Sequence, residues 1–184
     1  MDEQAAIAET KAGDQQAFGW IVERYQHMVY TVCSRVLRER EDAEEATQDS
    51  FVKAYQHMGT YGGEAKFSTW LYSIAYRTAI SKLRTRKGAS VDLDEVPEAF
   101  LGSEPSAVHD QQDRKQALEQ ALAQLSAEDA TVVTLYYLAE QNVEEIVTAT
   151  GLSASNVKVK LHRSRKKLQE ILHAQFKEET WTLR

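Results

Sequence analysis

The stretch VEEIVTATGLSASNVKVKLHRSRKKLQEIL, residues 143–172, decides how the chain is read. It opens with about two turns of helical pattern and then meets Gly151, a residue suited to a left-handed helix stop. Ser153 or Ser155 can cap the longer helix that follows. Short helix, glycine turn and longer helix make the helix-turn-helix pattern. The second helix is unusually charged: residues 156–168 hold six Lys or Arg, one His and no acid. On a helical wheel Val157, Leu161, Ser164, Leu168 and Ile171 form a packing stripe. Val159, His162, Arg163 and Lys166 face away from it, Lys158, Lys160, Arg165 and Lys167 lie on the flanks, and Ser155 and Asn156 stand at the N-terminal end. A helix that buries one stripe and shows bases elsewhere suits the DNA major groove, where Lys and Arg reach phosphates and guanine edges. The alternative is a solvated basic face on an ordinary amphipathic helix.

That basic helix belongs to an acidic chain of 184 residues with a formal charge of −6. The imbalance is local. Residues 1–87 contain 12 acids and 12 bases, and residues 113–184 contain 10 of each. The segment 88–112, GASVDLDEVPEAFLGSEPSAVHDQQ, has 6 acids, no base and both prolines, Pro97 and Pro105. Its composition is that of a flexible linker. It divides the chain into a domain at 1–87, a second at 113–176 and a tail at 177–184. An acidic tether is first a solvated connector; a sharper reading has it occupying basic surfaces of its own chain until nucleic acid displaces it.

Only 8 Gly and 2 Pro interrupt a chain rich in helix formers, which predicts an all-α protein made of two small helical domains. Cys33 is the single cysteine, so an internal disulfide and a multi-cysteine zinc site are excluded. It falls beside an apolar helical face and reads as a buried thiol. The five histidines are scattered, and neither H-E-x-x-H nor a phosphate-binding glycine loop is present. No enzyme activity, metal or cofactor is therefore expected. The opening MDEQAAIAETKAGDQQ lacks the regions of a signal peptide, and no run of about 18 apolar residues follows. These features predict a cytoplasmic protein without membrane insertion.

In the first half, Phe18, Ile21, Val22, Tyr25, Val29, Val32, Val36 and Leu37 mark one face of a helix over 14–38. A second helix is predicted from about 39–42 to Met58, and a third from about Lys66 to Lys87. In the second helix Ala43, Thr47, Phe51, Ala54 and Met58 face inward, while Glu41, Glu45, Gln48, Asp49 and Val52 face out. The third, KFSTWLYSIAYRTAISKLRTRK, is apolar on two sides. Phe67, Leu71, Ile74 and Thr78 share one, flanked by Trp70 and Ala75. Tyr72, Tyr76, Ile80 and Leu83 lie on the other, among Arg77, Arg84 and Lys87. Aromatic rings interleaved with cations suit single-stranded nucleic acid, whose unpaired bases stack on the rings while the cations hold its backbone. Packing of Tyr72 and Tyr76 against another helix explains the pattern equally well. In the second half, QALEQALAQL predicts one helix, and Ser126 caps the next, SAEDATVVTLYYLAE.

Three stretches in order, DAEEATQDSFVKAY, FSTWLYSIAYRTAISKLR and GLSASNVKVKLHRSRKKL, resemble the bacterial extracytoplasmic-function sigma factors of the sigma-70 family. The resemblance runs from about Asp14 to Leu172. It implies a sigma-2-like domain at 1–87 and a sigma-4-like domain at 113–176, hence an alternative sigma factor that binds core RNA polymerase and initiates transcription at −10 and −35 promoter elements. The family's polymerase-binding motif corresponds to Asp42, Glu45, Gln48 and Asp49, with Val52 on the same outer face, docking on the clamp helices of the largest subunit. For the −10 strand it implies Tyr61, Lys66, Trp70, Tyr72, Tyr76, Arg77 and Arg84, with loop 59–66 catching a flipped base. For the −35 element it implies Ser155, Asn156, Lys158, Val159, Lys160, His162, Arg163 and Lys166. An anti-sigma protein is the further partner implied. Arg77 stands where many members have Asn, Ser126 where many have Pro, and Val159 where Ser is frequent, so no consensus promoter is implied. The alternative function is a stand-alone helix-turn-helix regulator, which leaves the 42–52 motif unexplained.

Overall fold

The computed structural model describes residues 1–87 and 111–181. Among them are eight α-helices, one 3-10 turn and no strand. The linker prediction, with Pro97, Pro105 and His109, falls outside the described residues, apart from positions 111 and 112, which begin a helix.

The first helix, α1 (Glu3–Lys11), was not anticipated. Its signal was present: Asp2 Oδ1 accepts from the Ala5 N–H at 2.7 Å, an N-cap ahead of an alanine-rich turn. α2 (Gln15–Leu37) is capped by Asp14 and buries Ile21, Tyr25, Val29, Val32, Val36 and Leu37 of the predicted face, with Cys33 buried beside it and Phe18 and Val22 half-buried. It stops at Arg38, which takes a left-handed φ of 64°. α3 (Arg40–Gln56) presents Ala43, Ala46, Ser50 and Ala54 inward, and these small side chains let it lie close against its neighbours. A 3-10 turn (Met58–Thr60) leads into the glycine loop, and α4 (Phe67–Lys87) completes the first unit. In the second unit α5 (Gln111–Ala123) and α6 (Ala127–Tyr137) precede the helix-turn-helix of α7 (Val143–Thr150) and α8 (Ala154–Trp181). α8 runs past the boundary placed at 176.

The two units pack on each other. α2 meets α6, and α4 is held between α2 and α3 on one side and α7 on the other. One continuous apolar core joins Ile21, Phe67 and Leu71 of the first unit to Leu135, Ile146 and Val157 of the second. This explains the doubly apolar α4: Ile80 and Leu83 are buried, as are Phe67 and Leu71. A smaller cluster of Leu122, Leu125, Ala130 and Val133 ties α5 to α6 and α8.

Candidate nucleic-acid interface

The helix-turn-helix is fixed by its caps. Asn142 Oδ1 accepts from the Glu145 N–H at 2.9 Å while Glu145 Oε2 accepts from the Asn142 N–H at 2.8 Å, a closed capping box at the start of α7. Gly151 ends α7 with φ 79°, where a side chain would be strained. Of the two serines offered for the α8 cap, Ser153 does it, accepting from the Asn156 N–H at 3.3 Å. Val157, Leu161 and Ser164 are buried as the wheel placed them, and Leu168 and Ile171 are half-buried. Ser155, Asn156, Lys158, Val159, His162, Arg163 and Lys166 are exposed, Val159 at 61 %.

Lys160 departs from its flank assignment. Its side chain is 2 % exposed, with Nζ 2.8 Å from Glu128 and 3.5 Å from Asp129. Asp129 also accepts from Arg163, at 2.8 and 3.1 Å. The wheel could not find this, because the acids come from α6 and pull a flank residue inward as a buried ion pair. Ser126 caps α6 through the Asp129 N–H at 3.1 Å, while the Asp129 carboxylate serves α8.

On the first unit, Glu41, Glu45, Gln48, Asp49 and Val52 are exposed along the outer face of α3, Val52 at 55 %. Asp42 turns toward α4 instead, 2.7 Å from Arg86 and 3.5 Å from Lys82, and Lys82 lies 2.6 Å from Glu45. That hydrogen bond with Glu45 holds the Lys82 ammonium above the usual lysine range. Two cations of the basic block 76–87 are thus paired with α3 acids, while Arg77 and Arg84 are exposed.

Below α3 the loop closes on an aromatic cluster. Tyr61 packs edge-on to Phe67 at 5.3 Å and tilted on Trp70 at 5.4 Å. Its hydroxyl donates to the Ala65 carbonyl at 2.8 Å, and Lys11 from α1 donates to the Tyr61 carbonyl at 2.6 Å. An open cavity of about 510 Å³ lies here, lined by His57, Tyr61, Trp70, Arg77 and, from α7, Thr148. Tyr61 and Trp70 are half-buried and rim it. Tyr72 and Tyr76 do not reach the surface: each is 5 % exposed, and Tyr72 stacks edge-on to Tyr25 of α2 at 6.4 Å. Burial raises the Tyr72 phenol to about 12. The packing alternative describes both residues, since α2 and α7 cover the two sides of α4. Lys66 is exposed but lies 2.9 Å from Glu145 of α7. Among the described residues no cluster of His, Cys, Asp and Glu could hold a metal ion, and no helix is long and apolar enough to cross a membrane.

Residues 21–89 match the sigma-70 region 2 family, and residues 115–168 match sigma-70 region 4. The chain is 30 % identical over 179 residues to the ECF RNA polymerase sigma factor SigW of Bacillus subtilis, covering 90 % of this chain and 94 % of that one. It is 27 % identical to the RNA polymerase sigma-H factor of Pseudomonas aeruginosa, covering 96 % of each. Among solved structures it resembles CnrH in complex with the cytosolic domain of CnrY, with a TM-score of 0.66 and 20 % identity over 94 % of this chain and 97 % of that one. The chain belongs to the extracytoplasmic-function sigma factors of the sigma-70 family. It is an alternative RNA polymerase sigma factor, a transcription-initiation protein with region 2 in its first half and region 4 in its second.

Proposed function

We propose that the chain docks on core RNA polymerase through α3 and reads two promoter elements with α4 and α8. The carrying observation is the exposed run Glu45, Gln48, Asp49 and Val52 on a helix whose other face is buried. An apolar residue at 55 % exposure within an acidic patch suits a basic, partly apolar partner such as the polymerase clamp helices. Asp42 acts from behind, tying α3 to the basic end of α4.

The −10 strand is assigned to the cavity beside Tyr61, Trp70 and Arg77, with Lys66 and Arg84 on its backbone. Extruding a base costs a few kcal/mol, which stacking on the two rings offsets. The −35 duplex is assigned to Ser155, Asn156, Lys158, Val159, His162, Arg163 and Lys166; Lys160 acts from beneath by fixing α8 on α6. An anti-sigma partner is supported by an apolar groove of about 590 Å³ among Leu118, Leu122, Tyr137, Leu138, Leu168 and Leu172. It is further supported by the likeness to CnrH and to RpoE of Bartonella quintana, the latter solved in complex with the anti-sigma factor NepR (TM-score 0.62, 23 % identity, 85 % of this chain and 96 % of that one). The protein works in the cytoplasm, without cofactor or catalysis of its own.

The test is co-elution with bacterial core RNA polymerase on size exclusion. The wild-type chain co-elutes, and the Gln48→Ala/Asp49→Lys variant does not. Failure of the wild type to co-elute, together with a tight shift of duplex DNA by the protein alone, would favour the stand-alone regulator.

A further inference from the structure

α1 touches the strand site without belonging to any contact assigned to polymerase or promoter. It precedes residues 21–89, the match to region 2, packs along α2 and reaches the 3-10 turn Met58–Thr60. The helix is pinned at both ends. At its start Glu3 accepts from the Tyr25 hydroxyl of α2 and lies 3.9 Å from Arg24. In its middle Ala6 is fully buried, and Thr10, 4 % exposed, donates to the Ala6 carbonyl at 2.7 Å. Three residues past its end Asp14 caps α2. Lys11, the last residue of α1, is exposed and stands outside this packing, so a rigid element delivers its ammonium to one place.

That place is a loop with little of its own to fix its shape. Met58 is buried and anchors the turn, but a Cβ at Gly59 or Gly63 would meet nothing within 4 Å. Close packing therefore does not wedge the backbone there, and Gly63 at φ 82° is in a region that glycine enters freely. The Tyr61 ring is clamped by Phe67, Trp70 and its own hydroxyl bond; the backbone beside it needs another restraint. Lys11 Nζ supplies one from 50 residues away, donating to the Tyr61 carbonyl at 2.6 Å. A hydrogen bond from an ammonium is stronger than one between neutral groups. Because a peptide unit is planar, holding that carbonyl holds the whole Tyr61–Gly62 unit and sets the direction in which the loop leaves Tyr61. The same ammonium lies 5.3 Å from the centre of the Tyr61 ring, a cation–π contact. Carbonyl and ring are thus gripped together, on the residue that lines the cavity with Trp70 and Arg77.

We propose that Lys11 of α1 is a positioning residue for the −10 strand: it fixes the Tyr61 carbonyl and ring, and with them loop 59–66, before the extruded base arrives. The proposal rests on assigning that strand to the cavity beside Tyr61, Trp70 and Arg77. A loop ordered in advance removes a conformational cost that binding would otherwise carry. The helix that does this lies outside the matched region, so loop geometry is set by a segment that takes no part in reading the strand.

The test uses the full chain bound to core RNA polymerase. The probe is a labelled single-stranded 12-mer selected from a random pool by the wild-type complex, and anisotropy reads its binding. Lys11→Met keeps the stem and removes the ammonium. It weakens 12-mer binding by about fivefold, the factor for ordering about one residue's backbone during binding, and leaves the dependence of affinity on salt unchanged. Amide hydrogen exchange across residues 62–66 of the free chain quickens in the same variant. Lys11→Arg, which still donates, restores both affinity and protection, and both variants co-elute with polymerase and melt as the wild type does. Unchanged affinity in Lys11→Met while Arg77→Ala weakens binding overturns the proposal. A salt slope lower by about 0.7 overturns it as well, since that is the mark of a lysine on a single-strand phosphate. Unchanged affinity in Arg77→Ala removes the strand from the cavity, and the proposal falls with the assignment beneath it.

Discussion

Replacing Lys160 separates a structural role from a DNA-reading one. In Lys160→Met the stem keeps its volume, but the ammonium between Glu128 and Asp129 is lost, and those carboxylates are only 12 % and 7 % exposed. Breaking a buried ion pair by removing one partner costs about 3–5 kcal/mol, because the remaining charge is left uncompensated. Arg163 still binds Asp129 at 2.8 Å, so Glu128 is the principal orphan and the lower end of that range applies. At about 2–4 °C per kcal/mol for a chain of this size, the melting temperature falls by roughly 10 °C. Urea unfolding followed by far-UV circular dichroism reads the loss, and Lys160→Met/Glu128→Gln recovers most of it. Titrating −35 duplex binding against salt reads the other possibility. The slope of log affinity on log salt stays unchanged, because Lys160 neutralises no phosphate. The reasoning is refuted if stability moves by less than about 0.5 kcal/mol while the slope falls by about 0.9, the signature of one lost phosphate contact.

Lys158→Ala should behave in the opposite way. Lys158 is exposed on α8, so the salt slope drops by about 0.9 and urea unfolding is unchanged. Burial pushes the Cys33 thiol up to about 11, so iodoacetamide modifies it only as fast as the chain unfolds. A thiol with a raised folded pKa adds stability that is fully present below its ordinary value near 8.5 and is lost as pH rises toward 11. The wild type therefore loses stability faster than Cys33→Ala between about pH 8.5 and 11. Rapid labelling of the native protein at pH 7.5 would contradict the burial.

Local signals carried most of the elements. The apolar spacing of α2, the glycine between α7 and α8 and the acid-free run on α8 depend only on neighbours in the chain, and each appears where the sequence placed it. The outer face of α3 was equally legible, since Ala43 and Ala54 can only point inward if Gln48 and Asp49 point out. What stayed hidden depends on distant partners. Tyr72 and Tyr76 carried two readings because a helix apolar on both sides is silent about what covers the second side. Lys160 looked like its neighbours Lys158 and Lys166 until α6 supplied two acids.

The sequence by itself therefore determined every helix but α1, the helix-turn-helix and the family, because caps, periodicity and motif order are written over spans of a few turns. Only the tertiary structure decided which charges work at the surface and that α7 covers α4. Those outcomes depend on side chains 73 residues apart and more, as between Ser68 and Gln141, meeting where the two units pack. A buried charge or amide takes its role from the partner it finds there, since leaving it unpaired away from water costs more than any local preference contributes.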